Sequence, residues 1–411
     1  MELRKVQSMA TAREKLVEAT VGKVFQSEKV SLMESAGRIL AESVISPAMV
    51  PDFRRSTVDG YAVHAGDTWG ADENAPVFLE LVEEVNMGDT PKKALKPGEC
   101  VYVPTGAMLP ECADGMVMVE YCEAFAVNQI AIHQGVAKGS FIVEIGEDLQ
   151  LGEEILQAGK FLGPGDIAVL ASLGISEVCV YQKPKITIIS TGDELATPGE
   201  EKKMGQVYEI NSFGLCAMAM EKGLDVVHVE VVQDTESLLL IAVKKAMAKS
   251  DFVVVSGGSS QGKQDITKQV LDEVSCPGVF THGIAFKPGK PTILGYDAKS
   301  ETILVGLPGH PVAAMMVFEL VILWYYRQKL GIKEGITVPA FLESNLPGAP
   351  GRETCQLVEL ILDKKQDFYI ARPILGKSGS ISTLSRAVGY ILIHRNKEGI
   401  KAGEKVQVHL L

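Results

Sequence analysis

The sequence predicts a multidomain chain of mixed α/β and β character: a three-layer α/β domain in its second half, with β-rich segments on either side. Three features predict it. From Lys185 onward, short apolar runs alternate with helical patterns, whereas both flanks carry short alternating strands broken by turns. The length of 411 residues also exceeds one ordinary core.

Two amphipathic helices open the chain. Thr11-Ala-Arg-Glu14 and Ser31-Leu-Met-Glu34 have the form of capping boxes, each ahead of a helical pattern, running through about Val24 and Val44. ISPAMVPDFRRSTVDGYAV follows, proline-broken and extended. Between about 77 and 142 the text is strand-like (FLELVEEV, ECVYVPTG, GMVMVEYCEAFAV, QIAIHQG, SFIVEI), which predicts a small β-rich domain. Pro164-Gly165-Asp166 starts a short helix and EVCVY forms a strand. This segment is read as closing back on the opening helices, which makes the β-rich block an insertion.

From Lys185 the register changes. KITIIS, DVVHVEVV, DFVVVSGG, VFTHGIAF, TILGY and TILVGL read as strands; SFGLCAMAMEKG, SLLLIAVKKAMAKS, ITKQVLDEV and PVAAMMVFELVILWYY read as helices. Apolar strands separated by helices predict a parallel sheet covered on both faces, with ligands at the carboxyl ends of its strands. After Gly331 alternating strands return (CQLVELIL, DFYIARPIL, GYILIHR, KVQVHLL) and predict a small β-barrel or sandwich.

Apolar content of 46% and charged content of 22% are those of a well-folded soluble protein. A net charge of −12, with scattered Lys and Arg, argues against nucleic acid or an anionic membrane as partner. The seven cysteines form no CxxC, so a reducing cytoplasm is expected. MELRKVQSMATAREKL lacks the apolar core of a signal peptide. The most apolar stretch, 311–326, is interrupted by Glu319 and falls short of the ~20 residues a membrane span needs.

Three apolar runs end in turns suited to an anion: SGGSSQGKQD, KPGKP and LPGHP. A strand, then glycines, then a helix start leaves backbone N–H groups unpaired at the positive end of a helix dipole. In the first loop Gly257 and Gly258 let the backbone approach a ligand, and Ser256 and Ser259 add hydroxyls. The string is neither a Walker loop nor GxGxxG. Lys287 and Lys290 flank a proline-stiffened turn. In LPGHP, behind Pro308 and Gly309, His310 reads either as a helix N-cap or as a residue facing a ligand. Glu194, Asp234 and Asp265 follow three successive strands of one sheet, the oxygen environment magnesium prefers. His64, His133, His228, His282, His394 and His409 show no metal-ligand spacing.

Taken in order, STVDGYAV, VPTGAMLPECADGMVMVE, GEDL, STGDEL, SGGSSQGKQD, KPGKP, GLPGHPVAA, Gly351-Arg352 and GKSGS resemble the landmarks of the molybdopterin molybdenumtransferase family, which includes MoeA and the E domain of gephyrin-like proteins. They span about residues 56–380. The resemblance implies a cytoplasmic homodimer with four parts. These are a split helical linker domain (1–47 plus 142–182), an inserted β-rich domain (48–141), an α/β molybdopterin-binding domain (183–331) and a terminal β-barrel (332–411). It implies that adenylylated molybdopterin and molybdate are the substrates, that AMP is released, and that Mg2+ or a similar divalent cation assists.

The family's functional positions fall on Asp59, Thr105 and Asp148, then on Glu194, Asp234, Asp265, Lys287 and Lys290, and finally on Arg352 and Ser380. The resemblance further implies a separate molybdopterin adenylyltransferase and cofactor-receiving enzymes as partners, and leaves open whether a dimer builds each site from one subunit or from two. Two departures stand out: His310 where many members carry Asn, and ETCQLV after Gly351-Arg352. Two other readings compete. One is a non-catalytic molybdopterin-binding carrier or scaffold, against which the acid cluster speaks. The other is a related α/β domain acting on nucleotides, a group that generally lacks the flanking TVDGYA and GKSGS segments.

Overall fold

The structure, a computed structural model, describes residues 6–257, 264–332, 335–376 and 381–411; at Gln264 and Asp265 it describes the backbone only. The chain forms two compact units, one of residues 1–42, 158–163 and 177–411, the other of residues 43–157 and 164–176.

In the first unit, helix α1 (Met9–Ala19) starts three residues before the capping box at Thr11 predicts. Ser8 takes the N-cap position and its hydroxyl accepts from the Thr11 N–H at 3.0 Å, which places Thr11 inside the helix. The helix also stops early, because the Thr20 hydroxyl bonds the Leu16 carbonyl and Lys329 Nζ takes the Thr20 carbonyl at 2.7 Å. The capping box at Ser31 is present, but its helix is a single turn, Leu32–Ser35. Gly37, at φ +73°, ends it, and Ile39 and Leu40 pair with residues near 160 and 180 instead. Long-range pairing there overrides a local helical pattern. Ser27–Ser31 and Glu177–Tyr181 form an antiparallel ladder.

The α/β domain is built on strands β1 (Lys185–Thr191), β2 (Asp225–Val232), β3 (Phe252–Gly257), β4 (Pro277–His282), β5 (Ile293–Asp297) and β6 (Thr302–Leu307), in the order β2-β1-β3-β6-β5-β4. Its helices are α2 (Asn211–Glu221), α3 (Glu236–Met247), α4 (Gln264–Glu273) and α5 (Pro311–Val317). Side chains alternate between two cores. Ile186, Ile188, Val254 and Val305 pack with Leu215, Ala219 and Val317 on one face. Ile189, Val253, Val255 and Leu304 pack with Leu239, Val243 and Val270 on the other. Burial on both faces explains why these strands read as unbroken apolar runs.

The sheet is mixed rather than purely parallel, which corrects the expectation. β5 runs antiparallel to both β6 and β4. The link from β5 to β6 is a short turn through residues 298–301, too short for the crossover a parallel pair requires. Helix α5 continues through a π-helical stretch, Phe318–Leu323, to Trp324–Leu330, and Arg13 of α1 donates to the Leu320 carbonyl within that stretch.

The C-terminal domain resolves the choice between barrel and sandwich. Strands β7 (Thr337–Leu342), β8 (Glu353–Asp363), β9 (Phe368–Pro373), β10 (Gly389–Ile393) and β11 (Lys405–Leu410) close in the cycle β8-β9-β7-β11-β10-β8. Ala340, Leu342, Val358, Ala371, Ile393 and Val408 fill the interior. One edge of β8 pairs in parallel with a two-residue strand, Phe286–Lys287, from the α/β domain.

The second unit carries a six-stranded sheet that includes Gly60–Val63 at the TVDGYA string and Glu99–Val103 just before PTGAMLP. Gly60 is required by close approach: a Cβ there would lie 1.9 Å from the Val117 carbonyl oxygen. Among the described residues no helix is long and apolar enough to cross a membrane.

Candidate active site

In a parallel sheet, the loops that follow the strands gather at one edge. Here that edge collects the last residues of β1, β2, β3 and β6. Because β5 is antiparallel, its beginning lies at the same edge: Ile293 pairs with Gly306 near the end of β6. The KPGKP turn is therefore carried beside LPGHP. Gly257, Pro291 and Pro308 line a single cavity of about 10 Å³, together with Thr267 and Ile293. Three glycine- and proline-rich strings, up to some 50 residues apart in the chain, meet around that space.

Close packing fixes Gly257 and Gly289. Gly257 pairs with Thr191 across the β1–β3 ladder at φ +142°, and a Cβ on it would fall 2.0 Å from the Thr191 carbonyl oxygen. Gly289 has φ +133°, and a Cβ there would fall 2.5 Å from a Val317 methyl. The Lys290 carbonyl accepts from the N–H groups of Ile284 and Thr292, and the Thr292 hydroxyl donates to the Gly289 carbonyl at 2.8 Å. Lys287 and Lys290 are consequently exposed on a braced turn. Arg352 stands immediately before the part of β8 where Glu353 and Thr354 pair with Phe286 and Lys287. The structure thus brings Arg352 to the turn that carries the lysines. Among the described residues no carboxylate lies within 4 Å of these three cations.

Neutral donors reach the acids at this edge. The Thr191 hydroxyl, on a residue only 2% exposed, donates to Asp234 Oδ1 at 2.6 Å. The Asp234 N–H donates to Asp193 Oδ1 at 3.2 Å. Glu194 is exposed, and its carbonyl accepts from the Val207 N–H at 2.9 Å. His310 occupies the N-cap position of α5, without a side-chain capping bond, and Pro311 follows in the first turn.

Other expected residues fall elsewhere. Gly258, Ser259 and Ser380 lie outside the described residues, as does the side chain of Asp265, whose backbone opens α4. Asp59, Thr105 and Asp148 belong to the second unit. There Asp59 Oδ1 accepts from the Thr105 N–H at 2.7 Å and from its hydroxyl at 3.0 Å. These two bonds, the backbone one first, hold the exposed Asp59 carboxyl below the usual range. The Gly106 N–H also donates to the Ser56 carbonyl at 2.8 Å, so TVDGYA and PTGAMLP form one structure. Asp148 is exposed, with its N–H on the Val50 carbonyl at 3.0 Å.

Comparison with known proteins covers nearly the whole chain. Residues 7–174 match the family model "MoeA N-terminal region (domain I and II)", residues 187–328 match "Probable molybdopterin binding domain", and residues 339–411 match "MoeA C-terminal region (domain IV)". A molybdopterin molybdenumtransferase of Haemophilus influenzae is 32% identical over 403 residues, covering 94% of this chain and 95% of that protein. The chain belongs to the molybdopterin molybdenumtransferase family. The Bacillus subtilis molybdopterin molybdenumtransferase is 31% identical over 395 residues, 94% of this chain and 90% of its own length. The solved structure of a molybdopterin biosynthesis MoeA protein from Pyrococcus horikoshii OT3 covers 99% of this chain and 100% of that one, with a TM-score of 0.84 and 31% identity.

Two residues of this edge escape the sequence reading. Glu209, 2% exposed, accepts from the Ser190 hydroxyl and the Ser212 N–H, each at 2.8 Å, and from the Ser212 hydroxyl. Asn211 bridges Ser256 and Gly309. The available signal was the polar run Glu-Ile-Asn-Ser opening the helix after the first strand.

Proposed function

We propose that this chain takes adenylylated molybdopterin and molybdate, inserts molybdenum into the pterin dithiolene and releases AMP. The reading rests on the meeting of Gly257, Pro291 and Pro308 around one space, beside Lys287, Lys290 and Arg352. The three cations would hold oxyanions, namely molybdate and the terminal phosphate of the pterin. Charge-assisted hydrogen bonds of ~1.5–3 kcal/mol each are enough to localise such groups on a chain of net charge −12. Cleavage of the bond between the pterin phosphate and the adenylate leaves additional negative charge on AMP. Fixed cations stabilise that charge without rearranging. Ser256, Gly257, Gly258, Ser259, Pro308, Gly309 and His310 would supply polar and backbone contacts. Asp59, Thr105, Asp148 and Ser380 are proposed participants on the strength of the family resemblance.

Magnesium or a similar divalent cation is proposed at Glu194, Asp234 and Asp265, whose carboxylates have the right donor chemistry. When bound it would supply positive charge to phosphate oxygens. Among the described residues no three acidic, histidine or cysteine groups stand together as a metal-binding set. We further propose a cytoplasmic homodimer divided as 1–47 plus 142–182, 48–141, 183–331 and 332–411. It would receive its substrate from a separate molybdopterin adenylyltransferase and pass its product to cofactor-receiving enzymes.

The test is AMP release from adenylylated molybdopterin, measured with and without molybdate. Molybdate-dependent release is expected, with Lys287→Ala and Lys290→Ala each lowering it roughly ten- to hundredfold. Tight pterin binding with no AMP release at any molybdate concentration would sink the proposal in favour of a carrier or scaffold. Unchanged turnover in Asp265→Asn would remove Asp265 from the cation set.

A further inference from the structure

Residues 209–212 fasten the ends of three neighbouring strands. Glu209 ties Ser190, near the end of β1, to the start of α2. Two residues on, Asn211 Nδ2 donates to the Ser256 hydroxyl oxygen at 2.9 Å and to the Gly309 carbonyl at 2.9 Å. Ser256 lies at the end of β3, and Gly309 follows β6. The amide orientation is not arbitrary: a backbone carbonyl only accepts, so the nitrogen must face Gly309. Both of its hydrogens are then used. Asn211 Oδ1, by contrast, is buried and has no hydrogen-bond partner among the described residues. A buried acceptor left unpaired costs stability, and such groups in native structures call for a functional explanation. The two donor bonds span the end of β3 and the turn after β6.

We propose that Asn211 is a positioning residue for the reaction. It sets the separation of Ser256 from the Gly309 carbonyl, and with it the spacing between the end of β3 and the LPGHP turn. The inference rests on the reaction proposed above. A positioning residue acts on the alignment of reacting groups, so its loss appears in kcat more than in KM.

The experiment measures kcat and KM for molybdate-dependent AMP release in Asn211→Ala, Ser256→Ala and the double variant, each with a urea unfolding curve. Asn211→Ala is expected to lower kcat about ten- to hundredfold, with KM for adenylylated molybdopterin changed less than about threefold. The double variant is expected to be no worse than Asn211→Ala, since both act through one contact. Asn211→Asp keeps the side-chain shape but has no donors at neutral pH. It is expected to lose as much as alanine, and it serves if the alanine variant does not fold. Near-normal kcat in Asn211→Asp, or losses that multiply in the double variant, would overturn the proposal. Absence of molybdate-dependent AMP release in the unmodified protein would count against the reaction, not against this role of Asn211.

Discussion

Gly257→Ala is the sharpest perturbation of the crevice. Its effect can be worked out from two distances. The residue sits at φ +142°, a conformation that strains any side-chain-bearing residue by roughly 1–3 kcal/mol. An added Cβ would lie 2.0 Å from the Thr191 carbonyl oxygen and 2.9 Å from its carbonyl carbon. Since real contacts rarely come closer than 3.0 Å, the ends of β1 and β3 must part by about 1 Å. Thr191 carries the hydroxyl that holds Asp234, and the neighbouring Ser256 carries the oxygen bonded by Asn211. A shift of that size at reacting groups typically costs on the order of a hundredfold in rate. The variant should therefore lose about 2–4 kcal/mol in urea unfolding, strain and clash together, and at least about a hundredfold in molybdate-dependent AMP release. Gly22→Ala is the control, because an added Cβ there meets nothing within 4 Å. It should change stability by less than about 0.5 kcal/mol. If Gly257→Ala kept activity within tenfold and unfolded at the same urea concentration, the close approach of these strand ends would not be what shapes the site.

Three further outcomes follow. Lys23, 3% exposed at its side chain, pairs with Asp251 at 2.7 Å and also donates to the Glu301 carbonyl at 2.8 Å; Lys23→Ala should cost about 3 kcal/mol in a denaturant titration. The Asp59 carboxyl titrates below its ordinary value because Thr105 donates to it, so the stabilising effect is complete above the unfolded value of about 4 and fades as pH falls through the lower folded one. Thr105→Val should raise the Asp59 midpoint seen by NMR only part of the way, since the larger, backbone contribution remains; no movement would separate the two residues. Burial pushes the Cys100 and Cys122 thiols up to about 12 and Cys216 to about 11, while Cys112 and Cys276 are exposed. A thiol reagent at pH 8, followed by mass spectrometry, should label Cys112 and Cys276 first.

How much of this was legible in the text depended on how local the determining physics is. Ile186, Ile188 and Ile189 read as a strand because both faces of β1 are buried. The Gly-Pro strings read as anion-seeking turns because backbone freedom is a property of the string itself. Their convergence required the strand order β2-β1-β3-β6-β5-β4, which no single segment encodes. The antiparallel β5 shows the difference: its four-residue link to β6 was readable, yet the apolar run alone suggested one more parallel strand. Glu209 and Asn211 were missed for the same reason, since each acquires meaning only when Ser190, Ser256 and Gly309 arrive from other parts of the chain. The opening helices failed in the opposite direction. Their local patterns are genuine, but Ser8 offered an earlier cap, and Ile39 and Leu40 found strand partners.

The two edges of the α/β sheet treat charge differently, and the difference bears on the ligand. At the amino edge, Asp251 is neutralised directly: Lys23 takes one oxygen and the Lys185 N–H the other at 2.8 Å. At the carboxyl edge, the buried Glu209 is held instead by the Ser190 hydroxyl and by the hydroxyl and N–H of Ser212. Hydroxyls can satisfy a carboxylate without using up a cation. Had a lysine or arginine been spent on Glu209, the buried pair would leave little net charge to attract an oxyanion. Satisfying this acid with neutral donors keeps positive charge available on a chain that is acidic overall. Glu209→Gln tests this directly, since it removes the buried charge and turns one acceptor into a donor facing hydroxyl and N–H groups. The expected result is a loss of about 1–3 kcal/mol in urea unfolding, with molybdate affinity in a dialysis assay changed less than about threefold. A large change in molybdate affinity at unchanged stability would mean that the Glu209 charge itself acts on the lysine–arginine cluster.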